Sequence, residues 1–239
     1  MPRLHVWLAA TIGCALLSVP GTASAASPYP PGSLGVDLSW PDCAVQVPAS
    51  ATFGIVGVTD GKDYSITNPC IAAQAAHFSE HLSLYANSGW DDQSPKLNAS
   101  SPKACEAGNA ECLAYNYGYN AGLAAHDAAT AAGVVSDVWW LDVEVANTWN
   151  DDVNQNRNSL QGEYDALTSR GVLTVGVYST NPYGQTITGS WHNGWPNWLA
   201  TADAASSQGR QACTAYEFTG GPTLIVQFDP HRIDRDVAC

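Results

Sequence analysis

The segment Val138-Trp-Trp-Leu-Asp142-Val-Glu144-Val145 is a short apolar run with two acids at its end. The helix-like stretches Glu111–Ala132 and Gln155–Arg170 lie on either side of it. A helix between two short strands is typical of a parallel sheet, because the chain must cross back before the next parallel strand can begin. The segment therefore predicts an α/β fold made of strand–helix–strand units.

The same alternation continues along most of the chain. The strand-like runs are Leu34–Leu38, Phe53–Val58, Leu82–Tyr85, Val138–Val143, Val172–Tyr178, Trp198–Ala200 and Leu224–Phe228, and a further helix-like stretch is Cys70–His81. About seven or eight strands in a chain of this length favour a TIM-like βα barrel over an open doubly wound sheet. The region Trp191–Cys239 has no long helix-like stretch, so we expect loops between the last strands. Asp91–Glu111 is predicted to be a looped insertion.

Acidic side chains outnumber basic ones. The chain has 22 Asp and Glu residues and 9 Lys and Arg residues, a formal net charge of −13, and 45% hydrophobic residues. This balance excludes a nucleic-acid binder, which needs a basic surface for phosphate, and electrostatic docking on an anionic membrane. The 9 Trp and 10 Tyr residues also exclude an intrinsically disordered chain, which is normally poor in aromatic residues.

The N-terminal segment predicts secretion. Arg3 precedes the apolar run Val6–Leu17, and Ala23-Ser24-Ala25 follows it. A basic start, an apolar middle and small residues at the end are typical of a secretory signal peptide. The alternative is a membrane anchor, but the run is too short for about 30 Å of hydrocarbon. We expect cleavage after Ala25, which would leave residues 26–239 as a single extracellular domain, monomeric and not associated with a membrane.

Six cysteines lie beyond the predicted signal peptide. An even number in an exported chain indicates disulfide bonds, although sequence alone permits many connectivities. Pairing between cysteines close in sequence is our expectation: Cys43–Cys70, Cys105–Cys112 and Cys213–Cys239. A zinc site is the alternative, but the chain has no C-x-x-C pair, so we expect no metal.

Three acids are candidates for catalysis. Asp142 and Glu144 are two residues apart, so a strand would place both on one face, about 6.6 Å apart along the chain. Two such carboxyls in a partly buried site divide into one protonated and one ionised group, as glycosidic bond cleavage requires. Asp37 ends another strand and can reach them only if both strands end at the same barrel mouth. The alternatives are solvated acids, ion pairs of Asp142 and Glu144 with Arg157 or Arg170, and a turn-capping role for Asp37.

Several short segments occur in an order that is typical of one family. They are Gly35-Val-Asp37-Leu-Ser39, Leu141-Asp142-Val-Glu144, Val175-Gly-Val-Tyr178-Ser-Thr180, Asn197-Trp198-Leu-Ala200, and Val226-Gln227-Phe228 followed by Ile233-Asp234. Because these segments occur in this order, the chain resembles glycoside hydrolase family 25, the bacterial and phage N-acetylmuramidases. The resemblance spans nearly all of the chain after the predicted signal peptide.

The resemblance implies a barrel of five βα units followed by three further strands. It implies hydrolysis of the β-1,4 bond after N-acetylmuramic acid in bacterial cell-wall peptidoglycan, without a cofactor. Glu144 would be the general acid on the leaving oxygen, and Asp142 would stabilise or orient positive charge at the sugar ring, with help from the substrate's own acetamido group. Asp37 would complete the catalytic set as a supporting acid.

The resemblance also implies residues that bind the substrate. Asp234 would support the acids, Tyr178 would hydrogen-bond near the anomeric centre, and Trp198 and Gln227 belong to the matching strands. Trp40 is a further candidate, because flat rings in or beside loops can stack on sugar faces. The other tryptophans so placed are Trp90, Trp149, Trp191 and Trp195. The alternative interpretation of these rings is that they anchor loops on the barrel.

The chain departs from the family pattern near the expected cleft. Gly57-Val-Thr59-Asp60-Gly61 has no basic residue where the family often has one, and Leu84–Trp90 lacks a His-Phe-like pair. Two alternatives therefore stay open: a barrel that binds cell-wall glycan without cleaving it, and a glycosidase of another polysaccharide.

Overall fold

The chain folds around a closed eight-stranded barrel. A computed structural model describes residues 27–65, 68–78, 80–201, 205–214, 218–228 and 233–239. Within these ranges the strands follow one another around the barrel in chain order. The first seven strands run parallel, and the eighth pairs antiparallel with the seventh and the first. The predicted TIM-like barrel is confirmed, whereas the predicted signal peptide lies outside the described residues.

Helices and short turns connect the strands. The strands are β1 Leu34–Leu38, β2 Phe53–Gly57, β3 Leu82–Asn87, β4 Val138–Asp142, β5 Thr174–Ser179, β6 Asn197–Ala200, β7 Thr223–Phe228 and β8 Arg235–Ala238. The helices are α1 Ile71–Ala75, α2 Ala110–Ala131, α3 Val153–Ser169, α4 Asn181–Thr188 and α5 Ser206–Ala212. Two 3-10 turns span Trp40–Asp42 and Ala76–Phe78.

The two long helices were predicted correctly, whereas the short ones were not. The expected helix Cys70–His81 is one short α-helix followed by a 3-10 turn. The expectation of loops between the last strands is wrong for the β6–β7 connection, which contains α5. The sequence also did not predict α4, which begins after the N-cap Thr180 and ends at Gly189. Both helices are short and rich in Ser, Gln, Thr and Gly, a composition that also occurs in loops.

The barrel interior is a packed aromatic core. Tyr29, just before β1, stacks on Phe53 of β2 with ring centroids 4.1 Å apart. Trp140 of β4 meets Trp198 of β6 edge to face at 6.0 Å. Trp139, adjacent to Trp140, points outward and packs in the layer between the barrel and the helices. Two adjacent residues of one strand thus pack in different cores, one inside the barrel and one between the barrel and the helices, as strand alternation predicts.

Two glycines let α2 and α3 approach to backbone contact. A Cβ atom at Gly118 of α2 would lie 1.8 Å from the carbonyl oxygen of Ser159 on α3. A Cβ atom at Gly162 of α3 would lie 2.0 Å from the carbonyl oxygen of Tyr115 on α2. The Ser159 hydroxyl also donates a 2.6 Å hydrogen bond to the carbonyl oxygen of Gly89, after β3. Helix α3 is therefore held both against α2 and against the segment that follows β3.

Three disulfide bonds brace the barrel. They join Cys43 to Cys70, Cys105 to Cys112 and Cys213 to Cys239. This is the expected pairing of cysteines close in sequence, and it leaves none of the six thiols for the alternative zinc site. Among the described residues, no helix combines the length and apolar character needed to cross a membrane.

Candidate active site

Polar side chains collect at one end of the barrel interior. Because β1 to β7 are parallel, their carboxyl ends meet at the same mouth. The side chains near this end are Asp37 of β1, Asn87 of β3, Asp142 of β4, Tyr178 of β5, Gln227 of β7 and Asp236 of β8. The antiparallel β8 begins at the mouth, so its first residues join the group. The strands therefore bring together acids that are far apart in sequence.

Asp142 is held by an amide on the neighbouring strand. Asn87 pairs with Asp142 in the β3–β4 register, and its amide donates a hydrogen bond to Oδ2 of Asp142. Thr59 fixes that amide by donating to Oδ1 of Asn87 at 2.8 Å. The Oδ1 atom of Asp142 is buried and has no hydrogen-bond partner among the described residues. Burial and then the charge of Glu144 raise the pKa of Asp142 well above its ordinary value.

Glu144 lies just past β4 and is half-buried. Its carbonyl oxygen accepts from the indole Nε1 of Trp149 at 2.8 Å and from the backbone N–H of Asn147 at 3.1 Å. These bonds fix the backbone that presents the carboxyl group. Burial and then the charge of Asp234 raise the pKa of Glu144. The charge of Glu144 in turn acts on Asp142, two residues earlier in the chain.

The alternative ion pairs do not form. The Nε atom of Arg157 donates to the carbonyl oxygen of Thr188 at 2.7 Å. Arg170 pairs with Asp127 at 3.2 Å on the protein surface. Neither guanidinium group is a salt-bridge partner of Asp142 or Glu144. The acids at the mouth are therefore not neutralised by these two cations.

Asp37 belongs to a chain of hydrogen bonds across the barrel. The Tyr178 hydroxyl donates to Oε1 of Gln227 at 2.8 Å, and Nε2 of Gln227 donates to Oδ2 of Asp37 at 2.9 Å. Burial and then the charge of Asp234 raise the pKa of Asp37. Its side chain contacts groups from β7 and β8 across the barrel, so the alternative role of a local turn cap is not favoured.

Asp236 was not predicted as a site residue. Its side chain is fully buried inside the barrel, and its Oδ1 accepts from the indole Nε1 of Trp198 at 2.8 Å. Burial and then the charge of Asp37 raise the pKa of Asp236. Asp234 and Asp236 are two residues apart, the same spacing as Asp142 and Glu144, and that spacing is the signal that could have found Asp236.

The predicted aromatic contacts differ in their exposure. Trp40 is 44% exposed, so its ring is available to a ligand. Trp198 is 1% exposed and packs on Tyr178 at 4.3 Å between centroids, so it presents no face to a ligand and supports the site from below. Among the other loop tryptophans, Trp90 and Trp195 are buried and act as anchors. Trp40 is the most exposed of these four tryptophans.

Comparison with known proteins places this geometry in context. No protein-family model matches the sequence. A probable glycoside hydrolase family 25 lysozyme of Dictyostelium discoideum is 32% identical over 74 residues, which is 30% of this chain and 34% of the relative. The chain thus matches about a third of the length of that curated relative. This similarity confirms the resemblance to family 25 that the motifs indicated.

Solved structures extend the similarity to the whole barrel. The lysozyme of Streptomyces coelicolor matches with a TM-score of 0.54 and 16% identity, covering 87% of this chain and 92% of the lysozyme. The family 25 lysozyme of Aspergillus fumigatus also matches with a TM-score of 0.54, at 14% identity, covering 87% and 93%. The fold is that of the family 25 lysozymes. In this chain, the carboxyl ends of the parallel strands form the mouth at which the acids lie.

Proposed function

We propose that this protein is a secreted glycoside hydrolase that cleaves β-1,4 bonds in the glycan strands of peptidoglycan. The observation that carries the proposal is the convergence of Asp37, Asp142 and Glu144 at one barrel mouth, on strands distant in sequence. The sequence similarity to a family 25 lysozyme supports this substrate class. The three disulfide bonds are consistent with an oxidising compartment outside the cell.

Glu144 is the proposed general acid. It is more exposed than Asp142, so it can reach the glycosidic oxygen of a sugar bound at the mouth. Burial and the charge of Asp234 raise its pKa, which is the direction of shift that an acid protonating a leaving group requires. Glu144 therefore donates its proton to the leaving oxygen as the bond breaks.

Asp142 is proposed to stabilise the transition state. Its two oxygens differ, because Asn87 holds Oδ2 and no described residue holds Oδ1. A sugar acetamido N–H or the positive charge that develops at the ring would satisfy Oδ1. Because the charge of Glu144 raises the pKa of Asp142, ionisation of one carboxyl opposes ionisation of the other, which favours a state with one protonated and one ionised group. We propose that the developing positive charge favours the state with ionised Asp142 and protonated Glu144.

The remaining residues position the substrate and the acids. Tyr178 is fixed by its hydrogen bond to Gln227 and is proposed to contact the sugar near its anomeric centre. Asp234 is proposed to hold Glu144 in its protonated form through repulsion between the two carboxylates. Trp40 is proposed to stack on a sugar face, since its ring is exposed on the turn after β1.

The test is the release of reducing ends from purified peptidoglycan by wild type and by Glu144→Gln. We expect the variant to lose at least about a hundredfold in rate, because the proton donor is removed. Glu106→Gln is the matched control, since Glu106 is exposed in the loop before α2. Equal rates in wild type and Glu144→Gln would contradict the role of Glu144. Binding of peptidoglycan without any cleavage by wild type would favour the non-catalytic alternative, and cleavage of chitin alone would favour another polysaccharide.

A further inference from the structure

Asp236 has two oxygens with different surroundings. It lies on β8 between β7 and β1, opposite Gln227 and Gly35 in the two registers. Its Oδ1 accepts from Trp198, whereas its Oδ2 is buried and receives no hydrogen bond from an N–H or hydroxyl group of the described residues. A buried carboxylate oxygen without a donor is costly. A carboxylic acid O–H at Oδ2 removes that cost, provided that an acceptor is within reach.

The acceptor is the carboxyl group of Asp37. Gly35 faces Asp236 across the β1–β8 register and has no side chain, and Asp37 follows two residues later on the same face. The backbone N–H of Asp37 donates to the carbonyl oxygen of Asp234 at 3.2 Å, so Asp37 lies diagonally opposite Asp236 on the adjacent antiparallel strand, where side chains on one face can meet. Two carboxyl groups can form a hydrogen bond only when one of them carries a proton. Asp37 already accepts from Gln227, so it is suited to be the acceptor of this second bond.

We propose that Asp236 is a protonated positioning residue that accepts from Trp198 through Oδ1 and donates to Asp37 through Oδ2–H. Asp37 then accepts from both Gln227 and Asp236, and this pair of bonds fixes it. Through Gln227 the same bonds hold Tyr178 at the mouth. The catalytic consequence rests on the proposed function, whereas the protonation state does not.

The groups that face Asp236 favour its neutral form. They are Asp37 on β1, Asp234 before β8 and the Tyr29 phenol below, and the adjoining side chains of β6 and β7 are uncharged. Arg235 precedes Asp236, but strand alternation turns its side chain to the outer face. Burial is the largest cause of the raised pKa of Asp236, followed by the charge of Asp37.

Two substitutions at position 236 separate a neutral donor from an anion. In Asp236→Asn the amide oxygen can accept from Trp198 and the amide N–H can donate to Asp37, so both bonds are kept without a charge. Asp236→Ala removes both bonds. On peptidoglycan we expect kcat to fall on the order of tenfold to a hundredfold in Asp236→Ala with KM changed much less, and the Asn variant to restore most of that loss. Equal loss in both variants would show that Asp236 acts as an anion, and the proposal would be wrong.

A second measurement needs no substrate and locates the proton. A proton that Asp236 keeps in the folded protein and releases on unfolding makes the unfolding equilibrium constant rise by up to about tenfold per pH unit above about pH 5. We expect Asp236→Asn to lower this pH dependence by about one proton. Asp37→Asn should also lower it below about pH 8, where Asp37 itself holds a proton, but should keep it above that pH, because the amide oxygen that this substitution introduces still accepts from Asp236. The opposite pattern, or equal pH dependence in all three proteins, would overturn the proposal even if the protein cleaved no glycan.

Discussion

The two halves of the barrel interior are equally buried but chemically opposite. The lower half contains Phe53 and Trp140, which are 0% exposed and pack against other rings. The upper half contains Asp236, also 0% exposed, and Asp142, which is 4% exposed. Burial of the apolar rings stabilises the fold. Burial of the acids raises their pKa values and opposes their ionisation, so the same packing creates a stable core at one end and acids that hold their protons at the other.

A single strand connects these two halves. In β4, Trp140 and Asp142 are two residues apart and share the inner face. The rings below exclude water from under the acids, and the parallel strands deliver the acids to one mouth. The comparison predicts that substitutions in the lower half of the barrel interior should affect stability most, and substitutions in the upper half should affect activity most.

The largest stability effect is expected for Trp140→Ala. The ring is fully buried against Trp198 and donates through Nε1 to the Ser83 hydroxyl at 3.2 Å. Its loss leaves a cavity and should lower the free energy of unfolding by about 3–5 kcal/mol, measured by denaturant titration. Trp140→Phe should lose less, because part of the ring contact remains. A loss below about 1 kcal/mol for the Ala variant would contradict a dry, well-packed lower half.

Asp142→Asn should show the reverse pattern. The amide keeps an acceptor for Asn87 and removes a carboxyl that burial destabilises, so the free energy of unfolding should stay within about 1 kcal/mol of wild type or rise. The rate of glycan cleavage should fall at least about a hundredfold, because the positive charge that develops on the sugar ring is no longer stabilised by a carboxylate. The free energy of unfolding and the rate of glycan cleavage are measured on the same protein preparation. A stability loss as large as that of Trp140→Ala would remove the contrast between the two halves.

The pH dependence of stability should reflect the buried acids. Acids whose pKa is raised by folding bind more protons in the folded state, so stability is greatest below their unfolded pKa and falls as pH rises toward the folded value. Glu163 on α3 offers a defined case outside the barrel, since it is 2% exposed and burial raises its pKa to about 8. Between about pH 5 and 8, stability should fall by up to about 1.4 kcal/mol per pH unit for each retained proton.

Glu163→Gln should reduce this slope by about one proton while the contribution of the barrel acids remains. Thermal or denaturant unfolding at several pH values measures it. A stability that rises with pH over this range would show that the buried acids are stabilised as anions, contrary to their surroundings.

The smallest stability effect is expected for Trp40→Ala. The ring is 44% exposed, so the free energy of unfolding should change by no more than about 0.5 kcal/mol. If the ring stacks on sugar, KM for peptidoglycan should rise up to about tenfold with kcat nearly unchanged. Steady-state kinetics on soluble glycan fragments measures this. An unchanged KM would assign Trp40 a different role.

Local patterns in the sequence were sufficient to predict the barrel. Apolar runs such as Phe53–Val58 and helix-like stretches such as Glu111–Ala132 are recognised from residues that are close in sequence. The corresponding strand and helix in the structure begin and end within a few residues of the predicted bounds. The meeting of Asp37 with Asp142 also followed from topology, because parallel strands end at the same mouth. The disulfide pairing followed from sequence proximity.

Asp236 and Trp198 show where such patterns become insufficient. Both faces of a barrel strand are buried, so alternation in Arg235–Ala238 separates two sets of residues without showing which set faces inward. Val237 is the largest apolar residue of this strand, yet it points to the outer layer, whereas Asp236 and Ala238 point inside. The sequence placed Trp198 among the substrate-binding residues, but only the packed structure shows that its ring lies beneath the acids.

The close approach of α2 and α3 has a consequence for engineering. Any side chain larger than hydrogen at Gly118 or Gly162 must push α3 outward, because the opposing atoms are backbone carbonyls that cannot turn aside. The Ser159 hydroxyl would then pull on Gly89, two residues beyond the Asn87 that orients Asp142. A methyl group added between α2 and α3 is thus expected to disturb the acids at the barrel mouth from a distance. Directed evolution of the protein should find few tolerated changes at these two glycines.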